Sequence, residues 1–236
     1  MRLNDPEAVR AEYADESRLE ERIAVWQTLA GPNPRELALQ AVAEVRPRRV
    51  LEVGCGQGWA SEWIKEELGA EVVAVDQSER MVELTRRRGV DARVGDVQRL
   101  AFEDEFFDAA LAAWMLYHVP DLDRSLSELA RVLRPGGRLV AVTNAPESLH
   151  ELWTLLDADR TPFLIAGFHS DNGAEILRRH FQRVEERQAA GTVTFADPEA
   201  VQRYVDSLVT VSGTVPPFDG ELVCSRRSTI FVAEKQ

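Results

Sequence analysis

The sequence predicts an α/β fold, a three-layer sandwich with helices on both faces of a mostly parallel sheet. Three observations predict it. Short apolar runs alternate with helical stretches from Val50 to Thr143, the pattern of strands joined by right-handed crossovers. Each run is short and bounded by polar residues or glycine. No repeat, low-complexity tract or long linker interrupts the alternation, and 236 residues at 44% hydrophobic content suit one domain with a full core.

The elements follow in order. Leu19, Ile23, Trp26 and Ala30 share one helical face. After the Gly31-Pro32-Asn33-Pro34 break, Ala38, Ala41, Val42 and Val45 share a second, so two helices precede the first strand. Val50 to Val53 reads as a buried strand. Ala60, Trp63, Ile64 and Leu68 form the apolar stripe of a helix that Gly69 stops, and Val72 to Val75 is the next strand. Helix Glu79 to Arg88, strand Ala92 to Val94 and strand Phe107 to Ala113 come next. Leu126, Leu129, Ala130 and Leu133 line a helix ended by Pro135, and Arg138 to Thr143 is a further strand. Beyond it, Leu149, Leu152, Trp153 and Leu156 form a helical stripe. The segment from Thr161 to Asn172 has no period and reads as a lid or substrate wall. Phe181 to Gln188 and Thr229 to Glu234 read as strands. Between them Asp197 and Pro198 cap a helix carrying Val201, Tyr204, Val205 and Leu208.

Charge and cysteine usage exclude several classes. With 28 basic and 40 acidic residues the net charge is −12, which disfavours a polyanion partner, because nucleic-acid binding draws on basic side chains. The short clusters Arg86 to Arg88, Arg178-Arg179 and Arg226-Arg227 read as solvated helix faces or loop ends. The longest uninterrupted apolar run, Ala109 to Tyr117, is nine residues and too short to span a bilayer. The mixed-charge N-terminus lacks the apolar stretch of a signal peptide, so the expected location is cytoplasmic. Cys55 and Cys224 are too few for a disulfide framework or a cysteine-ligated zinc, and no metal is expected.

One stretch carries the chemistry. Glycines 54, 56 and 58 follow the first strand and open a helix, where a doubly wound sheet binds ligands. Asp76, at the end of the second strand, can accept hydrogen bonds from two ribose hydroxyls. Together these say "nucleoside-containing cofactor". Trp59 stands where a dinucleotide fingerprint needs its last glycine, which weighs against a nicotinamide oxidoreductase.

The run E-V-G-C-G-Q-G at Glu52 to Gly58 resembles the glycine-rich motif of class I S-adenosylmethionine-dependent methyltransferases. Four further pieces match in order: V-V-A-V-D ending at Asp76, G-D-V at Gly95 to Val97, F-D-A-A-L-A-A-W-M-L-Y-H-V-P-D at Phe107 to Asp121, and L-S-E-L-A-R-V-L-R-P-G-G-R-L at Leu126 to Leu139. The last is similar to the branch (methyltransferase type 11) that includes the ubiquinone and menaquinone biosynthesis enzymes. The resemblance covers about Val50 to Thr143. It implies a Rossmann-like, mostly parallel sheet of about seven strands with an antiparallel strand near the C-terminus. It also implies S-adenosylmethionine as cofactor and transfer of its methyl group to an N, O or C atom of a small organic molecule. An RNA or protein methyltransferase, or a non-catalytic cofactor-binding module, are the alternatives.

Residue by residue, the resemblance assigns Gly54, Cys55, Gly56 and Gly58 to the methionine and ribose portions, with Glu52 supporting the loop and the cofactor's amino group. It gives Asp76 the ribose hydroxyls, Gln77 the adenine flank, Asp96 the adenine amino group and the Val97 amide a ring nitrogen. The Ala113 carbonyl would face the methionine amino group. Asp96 can equally be a turn acid after Gly95. His118 is the candidate general base, with a structural role as the alternative. Tyr13, Trp114, Tyr117, His150, Phe168 and His169 are further pocket candidates. Residues 1–48 are expected to form a helical lid, 49–145 the cofactor core, and 146–236 the substrate-side helices and final strands.

Overall fold

In a computed structural model of the chain, the structure describes residues 4–5, 7, 9, 13, 16–158, 167–208, 211 and 213–236. Seven strands form one sheet: β1 (Arg49–Val53), β2 (Glu71–Asp76), β3 (Asp91–Val94), β4 (Phe107–Ala113), β5 (Leu133–Asn144), β6 (Arg183–Phe195) and β7 (Leu222–Glu234). Their order is β3-β2-β1-β4-β5-β7-β6. The first five pair in parallel, while β7 is antiparallel to both β5 and β6. The order reverses between β1 and β4, which opens a crevice beyond their carboxyl ends. Every residue of β4 before Ala113 is buried, as a strand covered on both faces must be.

The described helices are α1 (Glu16–Ala24), α2 (Pro34–Ala43), α3 (Trp59–Leu68), α4 (Glu79–Arg87), α5 (Leu122–Val132), α6 (His150–Leu155), α7 (Gly173–Leu177) and α8 (Pro198–Asp206). Local chemistry sets their ends. Asn33, Ser78, Asp121 and Asp197 each accept a backbone N–H of the first turn, with Pro34 and Pro198 just inside. Gly69 ends α3 in the left-handed conformation, as its position predicted. Residues of α2, α3 and α4 pack with Val50, Ala74, Ala109, Val140 and Ile230 on one face of the sheet. Residues of α5 and α7 pack with Leu51, Val73, Ala110, Leu139 and Phe231 on the other, completing the three layers.

Several elements depart from expectation. α1 ends at Ala24 and continues as a tighter turn over Val25–Thr28. Ala30 lies on no helix and instead forms an antiparallel bridge to Thr192. That bridge needs Gly191, where a Cβ would stand 2.0 Å from the Ala30 carbonyl oxygen. α2 stops at Ala43, before Val45. Leu133 begins β5 rather than ending α5. The Pro135-Gly136-Gly137 stretch becomes a bulge, seen as the register jump from Phe107↔Leu133 to Ala109↔Arg138.

β6 begins at Arg183 and, like β7, runs well past the sheet. The distal halves of this hairpin carry a third apolar cluster. In it Val193, Phe195 and Cys224 pack with Val25, Leu152, Val201 and Val205 of the α1 extension, α6 and α8. This cluster roofs the crevice. No helix among the described residues is long and apolar enough to cross a membrane.

Candidate functional site

The crevice holds a cavity of about 530 Å³, floored by the carboxyl ends of the parallel strands and roofed by the α1 region, α6 and the β6–β7 hairpin. All the predicted cofactor residues line it except Gly58, and so do His118, Tyr13, Trp114 and Tyr117. His150, Phe168 and His169 do not. Phe168 is fully buried in the core, 5.6 Å from the Phe231 ring, and the His169 backbone N–H is tied to the Asn172 side chain. Ser148, Leu149, Trp153 and Ala158, which precede the expected lid, line the cavity; of the lid itself, residues 161–166 lie outside the described residues and 167–172 do not line the cavity.

The glycine loop is held to the end of β2. Gly54 N–H donates to the Val75 carbonyl at 2.7 Å, and Gly56 N–H donates to Asp76 Oδ2 at 3.0 Å. The other Asp76 oxygen accepts from Ser78 N–H at 2.9 Å, and burial raises the Asp76 pKa. The three glycines serve different ends. All have left-handed φ, but a Cβ on Gly54 would strike Met115 at 2.7 Å and one on Gly58 would strike Thr85 at 2.6 Å. Only Gly56 faces open cavity, its nearest neighbour being the tip of Leu19 at 3.8 Å. The sequence assigned all three to a ligand. Gly58 instead caps α3 and packs on α4.

Beneath the loop, Glu52 is buried and accepts from the Ser61 hydroxyl. Burial, with a smaller push from Asp76, raises its pKa to about 8. Cys55 is buried beside Thr85, its thiol pushed far up by desolvation, so it is a small packing residue rather than a nucleophile. Asp96 is exposed and closes its own turn: Oδ1 accepts from Gln98 N–H at 2.9 Å, and the Gln98 amide reaches both oxygens at 3.1 and 3.0 Å. The turn-acid alternative describes this geometry. Gln77 is exposed and Val97 is buried.

At the end of β4 the chain turns sharply through Trp114, a non-glycine residue at φ 53, and its backbone N–H donates to Val142 at 2.8 Å. Its indole N–H donates to Asn144 Oδ1 at 3.0 Å. His118 ends the following turn, with its Nε2 3.0 Å from the Tyr13 hydroxyl. Tyr117 packs against it with ring centroids 4.4 Å apart. Burial raises the Tyr13 pKa and takes that of Tyr117 to about 12, so both phenols are neutral.

The sequence reading missed the basic wall. Arg22, Arg35 and Arg226 line the cavity, and Arg226, expected to be solvated, is 2% exposed. The alternation of buried Cys224, Arg226 and Ser228 with outward Val223, Ser225 and Arg227 along β7 leaves no apolar pattern in the sequence, so the strand was started at Thr229 and Arg226 was left outside it. Among the described residues no cluster could hold a metal ion.

Comparison with known proteins agrees with the geometry. Residues 51–141 match the methyltransferase domain family. The chain is similar to a malonyl-[acyl-carrier protein] O-methyltransferase of Halorhodospira halophila, 30% identical over 213 residues, covering 86% of this chain and 71% of that one. It is also similar to a ubiquinone biosynthesis O-methyltransferase of Xanthomonas oryzae, 43% identical over 133 residues, covering 50% of this chain and 55% of that one. A SAM-dependent methyltransferase structure from Thermotoga maritima superposes with TM-score 0.61 at 22% identity, covering 94% of this chain and 98% of that one, and shares its fold. The chain spans about half the length of most of the curated relatives it matches. It belongs to the class I S-adenosylmethionine-dependent methyltransferases, in the branch that includes the ubiquinone and menaquinone biosynthesis enzymes. S-adenosylmethionine is the cofactor of that family.

Proposed function

We propose that the chain transfers a methyl group from S-adenosylmethionine to an N, O or C atom of a small organic molecule. The observation that carries this is the continuity of the cavity. One space of about 530 Å³ runs from Gly56 and Asp76 to Trp114, His118 and Trp153 beneath a roof, a volume suited to small ligands.

The residues fit the cofactor. The open side of Gly56 leaves room for a ribose, and Asp76 has lone pairs beyond its two backbone bonds for hydroxyl donors. Glu52, raised by burial, would be stabilised as a carboxylate by a nearby ammonium. Gly54 and Cys55 would pass the methionine portion, with Ala113 offering its carbonyl and Gln77, Asp96 and Val97 flanking the adenine. Bound there, S-adenosylmethionine supplies an electrophilic methyl group. The chain aligns the acceptor and excludes water, and alignment alone contributes roughly 7 to 11 kcal/mol to such reactions. His118 takes the acceptor's proton where attack requires it, held in place by Tyr13. Residues 1–48 act as a lid, 49–145 as the cofactor core, and 146–236 as the acceptor side.

The test is transfer of radiolabelled methyl groups from S-adenosylmethionine into a cell extract, followed by size fractionation. Label is expected in small molecules. Label in RNA or protein, or none at all, overturns the reading.

A further inference from the structure

Several arginines outside the cavity are paired with carboxylates. Arg227 meets Glu147 at 2.6 Å and Asp171 at 3.0 Å, Arg138 meets Glu44 and Glu234, and Arg187 meets Glu44 and Glu185. Two arginines of the cavity wall differ. Arg226, next to Arg227 but turned inward on β7, has no carboxylate partner among the described residues. Its guanidinium lies 5.1 Å from the Trp26 ring, and its Nε has no hydrogen-bond partner. Arg35 likewise has an aromatic neighbour, Trp59 at 4.7 Å, and no carboxylate. Burial lowers the pKa of both. A chain with 40 acidic and 28 basic residues did not lack carboxylates to place here.

A buried cation with no counter-charge is costly, and an aromatic face returns only part of that cost. The Arg226 fork is nonetheless held in place. One terminal nitrogen donates to the Pro32 carbonyl at 2.9 Å and the other to the Ser228 hydroxyl at 3.2 Å. Ser228 donates to Asn144 Oδ1, which also accepts the Trp114 indole N–H, so the fork is tied to the turn after β4. The fork and the cofactor carboxylates stand apart. With strands spaced about 4.8 Å apart, β7 lies roughly 19 Å from β2, which carries Asp76, and roughly 14 Å from β1, which carries Glu52.

We infer that the methyl acceptor carries a carboxylate, and that Arg226, seated on Trp26 and braced by Ser228 and Pro32, is the residue that selects it. The inference rests on the methyl-transfer reading and adds the substrate class. The acid would approach from the Trp114 side, with its reacting atom toward the crevice and its charge toward β7. Arg35, nearer the glycine loop in sequence position, adds to the positive field of the wall.

The protein saturated with S-adenosylhomocysteine is titrated by calorimetry with straight-chain acids from butyrate to decanoate, benzoate, phenylacetate and 4-hydroxybenzoate, each beside its primary amide. At least one acid is expected to bind ten-fold or more tightly than its amide. Arg226→Met should abolish that preference and change S-adenosylhomocysteine affinity less than two-fold. Replacing an unpaired buried charge with an apolar side chain of similar length should leave the fold intact, and Arg226→Lys should keep part of the preference. No acid preferred over its amide, while S-adenosylhomocysteine still binds, overturns the inference alone. So does a ten-fold loss of S-adenosylhomocysteine affinity in Arg226→Met, which would give the arginine to the cofactor's own carboxylate. Failure of the unaltered protein to bind S-adenosylhomocysteine removes the reading beneath it.

Discussion

The cavity's two ends differ in charge and in construction. At the β1–β2 end, Glu52 and Asp76 present carboxyl groups tied by hydrogen bonds to residues close in sequence: Ser61, Gly56 and Ser78. At the β7 end, Arg226 presents a cation braced by Pro32 and Ser228 and stacked on Trp26, from segments some two hundred residues apart. The first end is a local device, a strand, a tight turn and a helix start, and any sequence keeping that order builds it. The second exists only once the β6–β7 hairpin folds over the N-terminal region. On the proposed function, the difference is that of a donor shared by a family and an acceptor particular to one member.

The sharpest way to break this contrast is at Asp76. Asp76→Ala removes the acceptor of the Gly56 and Ser78 N–H groups together with the carboxylate proposed for the ribose. The expected loss of S-adenosylhomocysteine affinity is about 1.5 to 3 kcal/mol, roughly ten- to 150-fold in Kd by calorimetry. The acid-over-amide preference at the far end should survive at saturating S-adenosylhomocysteine. If it disappears as well, the two ends are one coupled site and the comparison fails.

What the sequence disclosed follows the same division. β1, β2 and β4 were found to within a residue, because each is a short buried run bounded by polar residues or glycine; β3 was found as closely although only Ala92 is buried in it, β5 was begun at Arg138 instead of Leu133, and the caps at Gly69 and Asp197 were found from their residue types. The antiparallel half was cut short. Cys224 to Ser228 contains two arginines and two serines, and an apolar-run criterion passes over a strand whose inward positions are polar. Leu133 was misassigned because an apolar residue at helical spacing before proline satisfies a helix end as well as a bulged strand start. Within the loop, glycine marked where φ must be positive, but not whether the missing Cβ makes room for a ligand, as at Gly56, or for a protein side chain, as at Gly54 and Gly58. That distinction depends on Met115 and Thr85, which lie far along the chain.

A smaller effect separates the ends by pH. Glu52 titrates near 8 in the folded protein, because burial penalises its charge, and near 4.3 when unfolded. Between those values the folded state holds a proton that the unfolded state has released. The Glu52 contribution is therefore fully present below about pH 4.3 and lost as pH rises toward 8. Asp76, also raised by burial, acts in the same sense, whereas His169, whose pKa burial lowers, acts oppositely near its ordinary value. Comparison with a single variant isolates the term. Thermal melts of ligand-free Glu52→Gln should decline less between about pH 5 and 8 than those of the parent, while Arg226→Met should follow the parent's slope. Parallel curves for Glu52→Gln and the parent would mean that Glu52 is ionised throughout.

The smallest effect expected lies between the two ends, at Tyr13. Its hydroxyl is 3.0 Å from His118 Nε2, and its carbonyl accepts from the Ser78 hydroxyl at 3.3 Å, so one residue of the N-terminal region touches both the β2 end and the turn after β4. Tyr13→Phe keeps the ring against His118 and the backbone contact to Ser78, and removes only the hydroxyl. A single such bond is worth about 0.5 to 1.5 kcal/mol. If His118 takes a proton from the acceptor, losing the group that orients its imidazole should slow label transfer roughly two- to twelve-fold at saturating S-adenosylmethionine and leave S-adenosylhomocysteine affinity unchanged. If His118 only packs, transfer should hold at the parent rate while urea unfolding registers the lost bond. The hydroxyl thus reports whether the boundary between the ends is where the proton leaves, and the outcome we expect is the slower transfer.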